Sequence, residues 1–114
     1  MISLFKKFKV AFIGLIEAFK DKSIFIQGLI GILVVIFGFI YKFNYLEWLF
    51  IITCIVLVIL SEMFNTCIER ICDLIDENQN HKIRYIKDLS AGCVLLASIY
   101  SIVIGCLILK GVLR

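Results

Sequence analysis

Apolar side chains fall along this chain in long blocks separated by short charged stretches. Ser23 to Tyr41 and Leu89 to Leu109 contain no charged residue, and Tyr45 to Leu60 carries only Glu47, beside Trp48 near its start. At about 1.5 Å per residue, the roughly 19 residues of the first block make a helix of about 28 Å, close to the ~30 Å hydrocarbon core of a bilayer. The pattern predicts three transmembrane helices, over 23–41, 45–60 and 89–109. Trp48 suits the interfacial end of its span, and Gly28, Gly31 and Gly38 are common in membrane helices. Ala91, Gly92, Ala97, Ser98 and Ser101 suit close helix contact in the third span.

Residues 1–22 follow another rhythm. Phe5, Phe8, Phe12, Leu15, Ile16 and Phe19 recur at steps of three and four, with Lys6, Lys7, Lys9 and Lys20 mostly between them. This predicts an amphipathic helix lying in the membrane interface. A secretory signal does not fit, because the long apolar block begins late and no small-residue cleavage pattern follows it. Beyond Leu60 the helical pattern continues through Met63, Phe64, Ile68, Ile71 and Ile75, so the second membrane helix is predicted to run past the surface to about residue 76. The fold class expected is all-α and integral to the membrane, a single domain over 1–114 with one surface helix and three spans.

Composition supports that reading. Hydrophobic residues make up 62% of the 114 and charged ones 18%, and the mean hydropathy is +1.07. A soluble domain is about 45–50% apolar, and a small one leaves too much surface wet to hide this excess. The net charge of +3 is too small to argue for nucleic acid. Its distribution is more informative. Lys6, Lys7, Lys9, Lys20 and Lys22 precede the first span, and Lys42 alone lies in the first loop. Arg70, Lys82, Arg84 and Lys87 flank the second loop, and Lys110 and Arg114 end the chain. The positive-inside rule then puts the N-terminus and second loop in the cytoplasm and the C-terminus outside. Five cysteines without a CxxC pair read as packing residues rather than a disulfide or zinc framework. His81, the single histidine, reads as exposed in a polar loop.

Candidate chemistry gathers where the second span leaves the lipid. At about 100° per residue from Glu62, the side chains of Asn65, Glu69, Asp73 and Asp76 share with it an arc of about 80°. Glu62 is the deepest, and an ionisable group at that depth is a functional candidate by default. A carboxylate there suits general-base work on a lipid hydroxyl. Glu62 and Glu69 lie about 10.5 Å apart along the axis, too far to share a proton, but suited to one group at the lipid and one at a metal or phosphate. Lys87 and Asp88 open the third span, and Lys87 can meet phosphate as a point charge. The plain alternative is a solvated stripe of charges. No Walker loop, dinucleotide fingerprint or protein-kinase signature accompanies these residues.

The run from Glu62 through Asn65, Glu69 and Asp73, followed by Lys87-Asp88-Leu-Ser-Ala-Gly92, resembles the small prokaryotic diacylglycerol kinase and undecaprenol kinase family. Its motif is E-x-x-N-[ST]-x-x-E-x-x-x-D, then K-D-x-x-[AS]-[AG]. The resemblance covers nearly the whole chain. It implies a homotrimeric helical bundle in the bacterial cytoplasmic membrane, transferring the γ-phosphate of ATP to a lipid hydroxyl with Mg2+. It implies Glu62 as catalytic base, Glu69 as metal ligand, and Asn65, Glu69, Asp73, Lys87 and Asp88 at the ATP. The wording of the second half favours undecaprenol over diacylglycerol as acceptor.

One position departs from the family. Where it places a second metal-ligating glutamate, before the first span, this chain has Lys22, and Ile24 and Ile26 follow where Asn and Arg often stand. A protonated lysine repels a cation. Asp21 is the candidate substitute, although one helical step turns its side chain by about 100°. Lys22 could instead meet phosphate directly. The alternatives are a weak or inactive paralogue serving as a membrane oligomer and, outside the family, a small multidrug-type transporter. The latter has four spans and a carboxylate in the first.

Overall fold

A computed structural model of the chain describes residues 3–78 and 80–114. Four helices follow one another: α1 over Leu4–Ala18, α2 over Lys22–Tyr41, α3 over Tyr45–Ile75 and α4 over His81–Leu109. Among the described residues there is no strand. The last three helices are long and apolar enough to cross a membrane.

α1 starts at an N-cap, Ser3, whose hydroxyl accepts from the Lys6 amide at 3.3 Å. None of its residues is buried, and its large apolar side chains lie open, as an interfacial helix requires. It ends at Ala18 because Asp21 starts a new helix: its Oδ1 accepts from the Ser23 amide at 3.0 Å. Lys22 thus belongs to α2 as its first residue rather than to the surface segment.

α2 and α3 are joined by a tight hairpin, with Lys42 in the left-handed region at φ 63°. Asn44 caps α3 through a reciprocal pair. Its Oδ1 accepts from the Glu47 amide, and its own amide donates to Glu47 Oε1, both at 2.9 Å. Glu47 is 0% exposed. Its carboxylate receives Arg114 Nε at 3.1 Å to each oxygen, and Arg114 Nη2 donates to the carbonyls of Tyr41 and Lys42 at 3.2 and 2.8 Å. The guanidinium also lies 4.5 Å from the centre of the Tyr41 ring. Phe43 and Trp48 pack edge to face on each other over Gly38 of α2, which gives them room: a Cβ there would meet the Phe43 ring at 2.6 Å. Phe43, Ile51 and Ile108 form the buried core at this end.

α3 packs chiefly on α4 and more lightly on α2. Asp76 ends α3, its carboxylate accepting from the Asn78 amide and from Asn80 Nδ2, each at 2.8 Å. Asn80 then caps α4 by accepting from the Lys82 and Ile83 amides at 3.0 and 3.1 Å. This cap starts α4 two turns ahead of Leu89. His81 is therefore the first residue of α4 rather than a loop residue, and it is exposed. Lys87 and Asp88 lie inside the helix rather than at its opening. All five cysteines are free.

Candidate active site

Three helices contribute polar side chains at the end of the molecule opposite the hairpin. α3 supplies the stripe expected from its periodicity, and α4 and the α1–α2 junction close on it. Lys87 Nζ of α4 meets Asp73 Oδ1 at 2.6 Å. The lysine side chain is only 16% exposed, whereas Asp73 is 54% exposed, so the ammonium is held between the helices with its partner facing outward. One turn further along α4 and about two turns back along α3, Ser90 Oγ donates to Asn65 Oδ1 and Asn65 Nδ2 donates to Glu69 Oε1, both at 2.8 Å.

Glu62 lies one turn deeper and is half-buried. Its carboxylate interacts with the side chain of Gln27 on α2 and is close enough to feel the charges of Asp21 and Glu69. Asp21 is largely covered. While its Oδ1 caps α2, its Oδ2 faces Arg70 Nη2 at 3.7 Å. Lys22 is exposed at the start of α2.

Two residues of the expected set stand apart. Asp88 is rotated by about 100° from Lys87 and pairs along its own helix with Arg84 at 3.6 Å, exposed at 70%. Asp76 is engaged in the α3–α4 connection. Gln27, Arg70 and Ser90 join the cluster without having been singled out by spacing. Gln27 carried a usable signal as the one amide in an otherwise apolar span. Ser90 carried none, because serine is unremarkable in a membrane helix.

Below Glu62 an apolar groove of about 520 Å³ runs between α2 and α3, lined by Phe19, Gly28, Gly31, Ile32, Ile55 and Ile59 among others. The glycines make it: a Cβ on Gly28 would meet the Phe19 ring at 2.9 Å, and one on Gly31 would meet Ile55 at 3.0 Å. Ile59 lies one helical turn before Glu62, so the groove leads toward the carboxylate.

Among the described residues no group of three or more His, Cys, Asp or Glu side chains is arranged to hold a metal by itself. The carboxylates of Asp21, Glu62 and Glu69 are hard oxygen donors gathered at one end of the bundle. One or two of them would fit magnesium, which is commonly bound by that many carboxylates together with water and substrate phosphates.

The family model for prokaryotic diacylglycerol kinase matches residues 9–109 of this chain. An undecaprenol kinase of Bacillus subtilis (strain 168) is 35% identical over 75 residues. That alignment covers 66% of this chain and 61% of the relative, less than two thirds of the relative's length. No solved structure matches.

Proposed function

The chain belongs to the prokaryotic diacylglycerol kinase family, and from that premise we propose that it transfers the γ-phosphoryl group of ATP to the hydroxyl of a membrane lipid. The acceptor we favour is undecaprenol, the substrate named for the Bacillus relative; diacylglycerol is the alternative. The observation that carries the reading is the position of Glu62. It has an apolar groove leading to it on the lipid side and a cluster of polar groups from α3 and α4 on the other.

In this reading a lipid chain lies in the groove and presents its hydroxyl to Glu62. The carboxylate takes the hydroxyl proton as the lipid oxygen bonds to the γ-phosphorus, and the bond from that phosphorus to the β–γ bridging oxygen breaks, releasing ADP. Proton transfer to a positioned carboxylate of this kind contributes about 10²–10⁴-fold in rate. Glu69 and Asp21 would supply the carboxylates for magnesium, which would neutralise charge on the phosphates. Asn65 and Asp73 line the nucleotide side. Lys87 supplies a positive charge that is already held in place by Asp73. Asp88 enters the proposal on the family resemblance alone, given its pairing with Arg84.

Lys22 favours a second reading, an inactive paralogue acting as a membrane oligomer. Asp21 argues against it, because a carboxylate is available beside Glu62 without Lys22 moving. The proposal extends to a homotrimer, with the N-terminus and the α3–α4 connection in the cytoplasm and the C-terminus outside. The open surroundings of Gly92 and Gly105 on α4 leave room for helices of neighbouring copies.

The test is transfer of labelled phosphate from ATP to undecaprenol or diacylglycerol in mixed micelles, with and without magnesium. We expect magnesium-dependent product on one lipid, reduced by about 10²–10⁴-fold in Glu62→Gln. Transfer retained by that variant removes Glu62 from the base role. Folded protein inactive on both lipids hands the lead to the oligomer reading.

A further inference from the structure

Three hydroxyls in the long helices donate their proton within their own helix. Thr53 Oγ1 donates to the Leu49 carbonyl at 2.7 Å, Ser61 Oγ to Val58 at 2.8 Å and Ser101 Oγ to Ala97 at 2.9 Å. Such back-bonding is a common way for a helical hydroxyl to be satisfied. Ser90 differs from all three in where its proton goes. It is 6% exposed, and its hydroxyl reaches across to Asn65 Oδ1 on α3 at 2.8 Å.

The direction of this contact is dictated by what lies beyond it. An ionised carboxylate can only accept, so Glu69 requires the amide nitrogen of Asn65 on its side. The amide oxygen then faces Ser90, and the serine hydroxyl has to donate to it. Three side chains in series therefore orient one another, from a buried anchor on α4 to an exposed carboxylate on α3. An exposed glutamate left to itself samples several rotamers. Here the anchor confines it.

We propose that Ser90 is a positioning residue for the nucleotide site. Through the Asn65 amide it fixes the side chain of Glu69, and so sets the affinity for the metal–nucleotide complex without touching it. The inference rests on the reading of Glu69 as a carboxylate that meets magnesium. Removing the hydroxyl leaves the Asn65 oxygen without its donor, frees the amide to rotate and releases Glu69. A role in packing alone predicts otherwise, because alanine differs from serine by one small atom in volume.

The experiment uses the full chain in micelles with Mn2+ as a spin probe and a non-hydrolysable ATP analogue, and reads bound manganese by electron paramagnetic resonance. Ser90→Ala is expected to weaken manganese–nucleotide binding by about tenfold, the lower range for loss of a group that orients a metal ligand. Ser90→Thr, which keeps the hydroxyl, is expected within about twofold of wild type, and Ser90→Cys, a weaker donor of similar size, between the two. The Asn65 side-chain amide resonances should shift in Ser90→Ala and return in Ser90→Thr. Wild-type affinity in folded Ser90→Ala, equal losses in the alanine and threonine variants, or unmoved Asn65 resonances would each overturn the proposal. Folded wild type that binds no manganese–nucleotide instead overturns the reading of Glu69, and this inference with it.

Discussion

Asp21 uses its two carboxylate oxygens differently. One caps α2 and the other faces Arg70, while its charge reaches Glu62. Asparagine caps a helix about as well as aspartate, so Asp21→Asn separates the cap from the charge. We expect this variant to keep its fold and to need about tenfold more magnesium for half-maximal transfer, the scale seen when a metal site loses supporting groups. A magnesium titration of lipid phosphorylation checks it. An unchanged requirement would take Asp21 out of the metal role. Spacing alone argued against Asp21, since a helical step from Lys22 turns a side chain by about 100°. That rule does not hold at this junction. Asp21 is the N-cap with extended backbone at ψ 133°, and Lys22 is the first helical residue.

Among the helices and their connections, the α2–α3 hairpin is the most firmly tied. Arg114 meets the buried Glu47 carboxylate, two hairpin carbonyls and the Tyr41 ring, and Asn44 Nδ2 donates to the Leu113 carbonyl at 3.0 Å. Breaking a buried ion pair by removing one partner costs about 3–5 kcal/mol. Arg114 is itself 39% exposed, so we place Arg114→Gln at the low end, near 3 kcal/mol. Thermal unfolding in micelles should show the loss, with phosphoryl transfer by the folded fraction unchanged, since the clamp lies at the end away from Glu62. Wild-type stability in Arg114→Gln would mean that the carboxylate finds another partner. Glu47 was legible only as a charge near a span start. Its role depends on a residue 67 positions away, beyond the reach of any local pattern.

At the scale of the whole molecule, three helices able to cross a bilayer put the hairpin and the α3–α4 connection on opposite sides of it. In a cysteine-free background, an impermeant maleimide should label Lys42→Cys on intact cells and Glu77→Cys only after the cells are opened. The reverse pattern would invert the topology and set Glu62 on the wrong side for cytoplasmic ATP.

The sequence by itself determined the class of the protein, because a span is encoded locally: enough consecutive apolar residues to match a bilayer, and a period that shows which face is polar. The surface helix, the three long helices and the shared arc of Glu62, Asn65, Glu69 and Asp73 could all be read that way. Only the tertiary structure decided which of these residues meet. Lys87 joins Asp73 whereas Asp88 turns to Arg84, Ser90 enters the cluster, and Asp21 faces Arg70 of α3. Such contacts depend on how far each helix slides and rotates against its neighbour, and caps such as Asp21 and Asn80 set where each helix begins. A periodic pattern fixes direction around one helix axis, but it carries no information on the register between two.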